Sequence, residues 1–541
     1  MQSESQAKEK RSVSWLAGLM IVAFAIPYMI FSINWATSLF HFQMTMAFSV
    51  VLYLVLQRFA PKAGSYSRGF RPPLITLPTL FFGVWVYIFY IFGYFGLEPI
   101  LFHLQVGAES RDVTHGMLME TLPQIGIIVA SIAGVWLLIA SDRRLQWFDR
   151  FAFFPLIVLN PLVLDGIAYA KDAYTVADVD LVERYADVME AKPPAIRPNI
   201  LHIYLESTEA TLLDRKLFGS AMDPLMPYIE RGVSLENVTQ IAHTQWTLAG
   251  QVASSCGVPM MSIGIRLAGD VSVTDEGLLP EAACLSDRLA ADGYDTTYLT
   301  IGTLDFQRKR EFVAAHNFTS GIGYESLRDK YPAGGNMFGL DDEDILNETR
   351  ALVRAKAKDD KPYYLSVTTA AGHMPNGYTS RSCVGRPSVE RLGDTTLEAI
   401  RCTNELIVEM LTEFEAEGLL EDTLVVLQSD HWAMRNSIYN DLQKRRRSNL
   451  FVAIGPGIQP QRITKPLSII DVYPTIMELA GYELVDHGAG LGVSAFADRP
   501  SLIEEFGLEH TNVQIRRDKK LRIKLWGLKN KDQRVEPKAQ S

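Results

Sequence analysis

Charged residues are scarce in the first third of the chain. The 541 residues include 62 acidic and 52 basic side chains, for a net charge of −10. Only 22 of these charges fall within residues 1–175, and none occurs between Ser12 and Gln57. That charge-free run is more than twice the roughly 20 residues that cross a bilayer as a helix. The distribution excludes a single soluble globule and predicts a membrane-embedded part followed by a soluble part.

Cysteine is also rare, with four residues that all lie after position 255. So few cysteines exclude a disulfide-rich scaffold, and their spacing matches no cysteine metal site. Four cysteines allow three pairings. Pairing of sequence neighbours is favoured for an oxidising compartment, and free buried thiols are the alternative. The candidate disulfides are Cys256–Cys284 and Cys383–Cys402.

Apolar segments predict a five-helix transmembrane anchor within residues 1–170. The fifth segment is the weakest, because it contains Pro155, Pro161 and Asp165, and a buried core helix is the alternative there. Lysine and arginine cluster at the N-terminus and in the second and fourth connections, which predicts a cytoplasmic N-terminus. Five crossings then place the rest of the chain outside the cytoplasm. The predicted spans lie near residues 15–34, 39–57, 72–97, 121–141 and 151–170.

The soluble part divides into three segments by composition. Residues 171–198 are predicted to be a polar linker, residues 199–515 a folded domain, and residues 516–541 a tail with ten basic and three acidic side chains. In the domain, short apolar β-rich runs alternate with helical stretches. This pattern is typical of an α/β domain with a central, mostly parallel sheet flanked by helices. For the tail, attachment to an anionic membrane surface and simple mobility both stay open.

Three predicted strands end in side chains that suit a metal ion. Glu206 follows the first strand, His373 follows another, and the pair Asp430–His431 follows a third. Each also has an ordinary interpretation as a capping or turn residue. Because the carboxyl ends of parallel strands meet at one edge, we expect these groups to lie together. Hard oxygen ligands with imidazole predict a divalent metal site for Mn²⁺, Mg²⁺ or Zn²⁺.

A threonine at the start of a predicted helix is the candidate nucleophile. Thr247 precedes a run of small residues, and its ordinary interpretation is a helix cap. The same position also favours an anion, because unpaired N–H groups and the helix dipole point at it. A metal that lowers the pKa of the hydroxyl would let it attack phosphorus. Thr208, two residues after Glu206, is the competing hydroxyl.

Several segments resemble motifs of the sulfatase/alkaline-phosphatase superfamily. With five membrane spans and an external domain, the chain resembles the lipoteichoic-acid-synthase branch of that superfamily. In finer detail it is similar to the phosphoglycerol transferases that modify periplasmic glucans in Gram-negative bacteria. The segments that carry the resemblance are 198–207, 246–250, 252–259, 372–373, 429–431, 468–475 and 488–494.

The resemblance implies one divalent metal ion, with Mn²⁺ favoured and Mg²⁺ or Zn²⁺ as alternatives. It implies that Thr247 is both nucleophile and ligand, and that His373 contacts the phosphate or the leaving group. Lipoteichoic-acid synthases bind the headgroup with an arginine beside a tryptophan, where this chain offers Lys309 or Arg308. Trp432 follows the Asp–His pair where the wider superfamily usually has glycine. The implied metal ligands are Glu206, Thr247, Asp430 and His431, and the implied substrate-binding residues are Lys309, Arg308 and Trp246.

The activity implied by the resemblance is transfer of phosphoglycerol from phosphatidylglycerol to a periplasmic glucan, with release of diacylglycerol. It implies a multi-pass protein of the bacterial inner membrane with a periplasmic catalytic domain. A phosphoethanolamine transferase is the alternative enzyme, and a metal-dependent phosphodiesterase or a non-catalytic envelope-binding module are further alternatives. Sulfate-ester hydrolysis is disfavoured, because residues 256–260 lack the Cys-x-Pro-x-Arg pattern from which formylglycine is made. The external location excludes a nucleic-acid partner.

Overall fold

The chain divides into two compact units, one of residues 1–90 with 117–169 and one of residues 91–116 with 170–541. Within the residues that the structure describes, no helix has both the length and the apolar character needed to span a membrane. The first four predicted spans lie outside these residues except at isolated positions, as does the start of the fifth. The computed structural model describes residues 157–158, 160–262, 277–333 and 335–528, together with residues 77, 80, 81, 84, 85, 122, 126 and 129.

The second unit is built on short β-strands whose residues are mostly buried. In chain order the strands are β1 (Asn199–Leu205), β2 (Val233–Leu235), β3 (Val238–Thr239), β4 (Asp295–Thr300), β5 (Ser320–Ile322), β6 (Tyr363–Thr368), β7 (Thr423–Ser429), β8 (Phe451–Ile454), β9 (Gln461–Ile463), β10 (Leu467–Ser468), β11 (Gly488–Ala489) and β12 (Gly492–Val493).

Eight of these strands form one sheet in the order β5-β4-β6-β1-β7-β8-β2-β9. From β5 to β7 all neighbours are parallel, whereas β8 is antiparallel to both β7 and β2. The central strand β1 places Ile203 opposite Val367 on one side and opposite Leu427 on the other. Every residue of β6 and β7 is buried, as expected of parallel strands that are covered on both faces. The predicted mostly parallel sheet is confirmed.

Helices pack on both faces of this sheet, because alternate residues of β1 point in opposite directions. Ile203 belongs to a core cluster that includes Ile407 and Met410, whereas the Tyr204 hydroxyl lies 3.0 Å from Ser254 Oγ on the other face. Over all the described residues of both units, the helices in chain order are α1 (Pro161–Tyr174), α2 (Arg215–Phe218), α3 (Met226–Arg231), α4 (Thr247–Cys256), α5 (Leu285–Ala291), α6 (Lys309–Ala315), α7 (Tyr324–Leu327), α8 (Asp342–Lys356), α9 (Pro387–Glu390), α10 (Thr395–Ala416), α11 (Tyr439–Leu442), α12 (Val472–Leu479), α13 (Leu502–Phe506), α14 (Leu508–Arg517) and α15 (Lys519–Leu525).

Both predicted disulfides are present. Cys256 at the end of α4 is bonded to Cys284, which caps α5. Cys383 is bonded to Cys402 in α10. Each disulfide closes a short loop, of 28 and 19 residues respectively, and so ties a helix to a neighbouring segment.

The segment after residue 515 differs from the predicted separate tail, because up to residue 528 it packs into the domain. Leu521 and Leu525 are fully buried, and they lie one helical turn apart on one face of α15. Trp526 is also buried, and its indole N–H donates to the carbonyl of Met261 at 2.9 Å. Because the segment carries many charges, its sequence did not reveal that it forms an amphipathic helix with a single apolar face.

The predicted linker likewise packs against these C-terminal helices. Asp172 accepts hydrogen bonds from Arg516 and Arg517 at 2.9 and 2.8 Å. The Leu181 N–H donates to Asp518 Oδ2 at 3.1 Å, and the Leu181 side chain is buried. The acidic linker and the basic C-terminal segment therefore have complementary charges and pack against each other.

We expect Leu525→Ala to lower the free energy of unfolding by about 2–5 kcal/mol, the usual cost of truncating a buried leucine. The matched control is Lys520→Ala in the same helix, because its ion pair with Asp180 is exposed and should contribute no more than about 1 kcal/mol. Chemical denaturation of the purified full chain measures both. Equal stability of the two variants would contradict the packed arrangement of this segment.

Candidate active site

The sheet order brings the predicted site residues to one edge. Strands β6, β1 and β7 are adjacent, so the segments that follow them emerge side by side. Glu206 follows β1 directly, Asp430 and His431 follow β7, and His373 lies five residues after β6. The structure therefore brings together the carboxylates and imidazoles that the sequence pattern placed at three strand ends.

Three of these side chains form a fully enclosed cluster. Glu206, Asp430 and His431 are buried, and their ligand atoms all lie within 4.8 Å of one another. His431 Nε2 is 3.3 Å from Glu206 Oε1 and 3.5 Å from Asp430 Oδ2. Two carboxylates and one imidazole carry a net negative charge when the imidazole is neutral, and such a charge is costly to bury without a cation.

The hydrogen bonds around Asp430 occupy only one of its two oxygens. Asp430 Oδ1 accepts from the N–H groups of Ser207 at 3.1 Å and His431 at 2.9 Å. Asp430 Oδ2 is buried and has no hydrogen-bond partner among the described residues. A buried carboxylate oxygen left open in this way is a ready metal ligand.

The tautomer of His431 is set by its neighbour. His431 Nδ1 lies 2.7 Å from the carbonyl oxygen of Trp432, and a carbonyl can only accept, so Nδ1 carries the proton. Nε2 then faces Glu206 and Asp430 and makes no hydrogen bond among the described residues, so it is the nitrogen that would offer a lone pair to a bound cation. Fixing one ring nitrogen on a carbonyl is how proteins orient a metal-ligating histidine.

The ionisation of the cluster reflects the crowding of like charges. Burial raises the pKa of Asp430, and the neighbouring Glu206 carboxylate raises it further. Burial also raises the pKa of Glu206, but the charges of His431 and His373 outweigh it and hold that pKa below its usual value. Burial lowers the pKa of His431, and the two carboxylates more than offset this. A cation bound among these groups would relieve the repulsion between the two carboxylates.

The candidate nucleophile contacts this cluster directly. Thr247 is the first residue of α4, and its Oγ1–H donates to Glu206 Oε2 at 3.2 Å. The competing Thr208 is also buried, but its hydroxyl donates to the main-chain carbonyl of Glu206 rather than to a carboxylate. Of the two threonines, Thr247 is therefore the one whose oxygen adjoins the candidate metal ligands.

Two glycines explain how the backbones approach so closely. A Cβ at Gly250 in α4 would lie 1.8 Å from the carbonyl oxygen of Asp430. A Cβ at Gly372 would lie 2.2 Å from the carbonyl oxygen of Glu206. Any side chain at either position would push α4, which begins with Thr247, or the loop that carries His373 away from the cluster.

His373 is oriented by contacts that the sequence did not reveal. Its Nδ1 lies 3.0 Å from the Met374 carbonyl, which leaves Nε2 as the nitrogen with a lone pair. Its ring packs against Phe338, with 3.7 Å between ring centroids and an angle of 40° between the ring planes. Burial lowers the pKa of His373, while Glu206 partly offsets this. Phe338 comes from a distant loop with no recognisable motif.

The loop that carries His373 is held by a buried carboxylate that no sequence signal singled out. Asp342 accepts from the N–H groups of Ala370 at 2.7 Å and Ala371 at 3.1 Å, and from the Thr403 hydroxyl at 2.6 Å. Burial raises the pKa of Asp342 to about 6. In the sequence it is one of several acids in the first turn of α8, where acids are common for helix-dipole reasons.

The predicted substrate-binding residues lie beside the nucleophile helix. Trp246 caps α4 and is buried. Lys309 is buried, and its charge is close enough to His373 to lower the pKa of that imidazole. Arg308 is also buried and pairs with Glu311 at 2.9 Å.

Gln307 is a further neighbour that sequence reasoning missed. Its Oε1 accepts from the N–H of Leu248, the second residue of α4, at 3.0 Å. Both Gln307 and Arg308 have positive φ values, of 59° and 61°, which is uncommon for residues other than glycine. The backbone at these two residues is thus held in an energetically unfavourable conformation against the start of α4.

The donor set fits one divalent cation. Glu206, Asp430 and His431 supply carboxylate oxygens and a correctly oriented imidazole nitrogen, and Thr247 supplies a hydroxyl beside them. Mixed oxygen and imidazole ligands suit Mn²⁺, Mg²⁺ or Zn²⁺. The other acid–imidazole group in the described residues includes Cys284, whose sulfur is already bonded in a disulfide.

The sulfatase family model matches residues 198–482, more than half of the chain. Two curated relatives are both named phosphoglycerol transferase I. The one from Xanthomonas campestris pv. campestris is 28% identical over 449 residues, which cover 80% of this chain and 62% of the relative. The one from Salmonella paratyphi B is 28% identical over 399 residues, which cover 71% and 51%. The chain thus spans less than two thirds of the length of these relatives.

Among solved structures, the lipoteichoic acid synthase LtaP from Listeria monocytogenes aligns with a TM-score of 0.45 and 17% sequence identity. The alignment covers 57% of this chain and 79% of LtaP.

We propose that the buried cluster holds a divalent cation, and we expect Asp430→Asn to weaken Mn²⁺ binding by at least about tenfold. Calorimetric titration of the metal-stripped full chain with Mn²⁺ measures the affinity. Asp471→Asn is the matched control, because Asp471 is an equally buried carboxylate whose oxygens bind the Ser468 and Val493 N–H groups instead. Unchanged Mn²⁺ affinity in Asp430→Asn would contradict this site.

Proposed function

The chain belongs to the sulfatase family, and from that premise we propose that it is a membrane-anchored phosphoglycerol transferase with Thr247 as its nucleophile. The observation that carries the proposal is the hydrogen bond from the Thr247 hydroxyl to Glu206, inside a buried cluster suited to a divalent cation. The relatives named phosphoglycerol transferase I support the choice of transferred group, since they match over most of this chain.

Sulfate-ester hydrolysis is a poor alternative for this site. Sulfatases make their nucleophile from a cysteine or serine, whereas Thr247 is the hydroxyl beside the cluster. The nearby Cys256 is at the far end of α4 and bonded to Cys284. The hydroxyl of an unmodified threonine instead suits attack on a phosphodiester followed by transfer to a second alcohol.

In the first step, Thr247 Oγ1 forms a bond to the phosphorus of phosphatidylglycerol. The bond from phosphorus to the diacylglycerol oxygen breaks, which leaves a glycerophospho-threonine. The proton lost by Thr247 is balanced by the proton that diacylglycerol gains. Glu206 Oε2 accepts the hydrogen bond from the Thr247 hydroxyl, so it orients the threonine oxygen for attack.

In the second step, a glucan hydroxyl oxygen forms a bond to the same phosphorus and the bond to Thr247 Oγ1 breaks. The sugar hydroxyl loses one proton and Thr247 regains one. His373 Nε2 is the base available to the entering hydroxyl, because Nδ1 is held by the Met374 carbonyl and burial keeps the imidazole neutral. A bound divalent cation would lower the pKa of the threonine hydroxyl and screen the phosphate charge.

The substrates and location belong to the same proposal. Phosphatidylglycerol stays in the bilayer, so an anchor of five spans would keep the enzyme next to its donor. Lys309 supplies a buried cation near His373 for the anionic phosphodiester. The acceptor is a periplasmic glucan, and the catalytic domain works on the outer side of the bacterial inner membrane.

We expect Thr247→Ala to lower diacylglycerol release from phosphatidylglycerol by about a thousandfold or more, because a missing nucleophile cannot be replaced by its neighbours. Vesicles with radiolabelled phosphatidylglycerol, the full chain and a glucan acceptor provide the assay. Intact-protein mass spectrometry should detect the glycerophospho adduct in the parent chain and not in the variant.

Thr208→Ala is the matched control, because Thr208 is equally buried but bonds a main-chain carbonyl. If Thr208→Ala rather than Thr247→Ala abolished the adduct, the nucleophile would be misassigned. If the enzyme consumed phosphatidylethanolamine in mixed vesicles and left phosphatidylglycerol intact, the proposed headgroup would be wrong.

A further inference from the structure

The tryptophan next to the cluster is fixed by its backbone on both sides. The Trp432 N–H donates to Gln240 Oε1 at 2.8 Å, and the Trp432 carbonyl accepts from His431 Nδ1 at 2.7 Å. The side chain is partly exposed, although the adjoining His431 and Ala433 are buried. A large aromatic ring therefore stands in a defined place immediately beside the candidate metal ligands.

A partly buried cation contacts the ring of Trp432 from one side. The Arg447 guanidinium lies 5.1 Å from the centre of the Trp432 ring and 5.5 Å from that of Tyr439, between the two rings. Arg447 is anchored by the fully buried Glu209, which accepts from Arg447 Nε at 3.1 Å and also from Nη2. Charged hydrogen bonds and cation–π contacts together keep the ring rigid.

Glu209 also links the two loops that carry the cluster. It follows Glu206 by three residues, and its Oε1 accepts from the Ala433 N–H at 2.9 Å. Arg447 Nη2 donates to the Ala433 carbonyl at 2.7 Å. Arg447 belongs to a basic run that the sequence suggests is solvated, but it is partly buried and supports the Trp432 loop.

The indole of Trp432 has an unused donor. Its Nε1 is shielded from solvent and has no hydrogen-bond partner among the residues that the structure describes. A buried N–H without an acceptor is costly and uncommon in folded proteins. The indole ring thus combines an apolar face with one N–H group that has no acceptor among the described residues.

We propose that Trp432 is the acceptor-binding platform of the site and that it binds the face of a sugar ring. A pyranose offers C–H groups that pack on an aromatic face, and its hydroxyl groups can bond to polar neighbours of that face. This assignment rests on the proposed phosphoglycerol transfer, and it adds a residue that selects the second substrate.

The surroundings favour a sugar over the acyl part of the lipid donor. The Arg447 cation lies against the Trp432 ring, and Gln240 Oε1 accepts from the Trp432 main-chain N–H. An acyl chain gains nothing from such polar neighbours. A carbohydrate can use both the apolar ring and the polar rim. The platform would hold the sugar hydroxyl oxygen where it can bond to phosphorus as the bond to Thr247 Oγ1 breaks, with one proton passing from the sugar to Thr247.

The test compares transfer with hydrolysis in one reaction. Full-length enzyme in vesicles with radiolabelled phosphatidylglycerol receives a β-linked glucose tetrasaccharide, and the products are phosphoglycerol-sugar, free glycerol phosphate and diacylglycerol. Water and sugar compete for the same glycerophospho-threonine, so their product ratio reports acceptor binding. We expect Trp432→Ala to lower the ratio of sugar product to glycerol phosphate by about tenfold, and Trp432→Phe to restore part of it.

Tyr439→Ala is the matched control, because it removes the other aromatic contact of Arg447 and leaves Trp432 in place. An equal fall of the ratio in Tyr439→Ala would mean that Trp432 acts only as structural support. A Trp432→Ala variant with an unchanged ratio but slower diacylglycerol release would place the ring on the lipid donor, and would overturn the proposal. Absence of diacylglycerol release by the parent enzyme would instead contradict the proposed function itself.

Discussion

The burial of two carboxylates at neighbouring strand ends is the constraint on which the rest of the site depends. Glu206 and Asp430 follow the paired strands β1 and β7, so the sheet itself brings their charges together. Two adjacent carboxylates cannot both stay ionised in a buried place without a compensating cation. The surrounding hydrogen bonds stabilise one oxygen of Asp430 and the Nδ1 side of His431, and they leave Oδ2 and Nε2 open toward a common centre.

That constraint also explains how the nucleophile helix is fixed. Helix α4 contacts the Asp430 backbone through Gly250, which admits the carbonyl only because it has no side chain. The next residue, the buried Gln251, accepts from the Tyr298 hydroxyl at 2.5 Å and donates to Thr368 Oγ1 at 2.8 Å. The disulfide at Cys256 ties the far end of the helix. Thr247 is therefore positioned by contacts along the whole helix rather than by its own hydrogen bond.

The strands and the clustering of Glu206, Asp430 and His431 could be predicted, because both follow from local pattern and one topological rule. Continuous apolar runs marked the parallel strands, and ligand-type side chains at their carboxyl ends had to converge. The supports of the site could not be found in this way. These supports are Asp342, Phe338 and the Glu209–Arg447 pair, and each acts through partners far away in sequence. The sequence around each of them is typical of a helix start, a loop or a solvent-exposed charged segment. The prediction of a separate basic C-terminal tail differed from the structure for the same reason. The few apolar residues of that segment lie on one face only when the segment is helical.

The geometry of the proposed reaction explains why these supports lie on two sides of the cluster. In an in-line displacement, the departing lipid oxygen and the entering sugar oxygen both lie opposite Thr247 Oγ1, so one opening must accept two chemically different alcohols in turn. Lys309 and the Phe338–His373 pair contribute charge and a base from the β4–β6 side. Trp432 contributes a rigid ring from the β7 side. Because β1 separates the two sides, the phosphodiester and the acceptor can be recognised by different residues while they react at the same phosphorus.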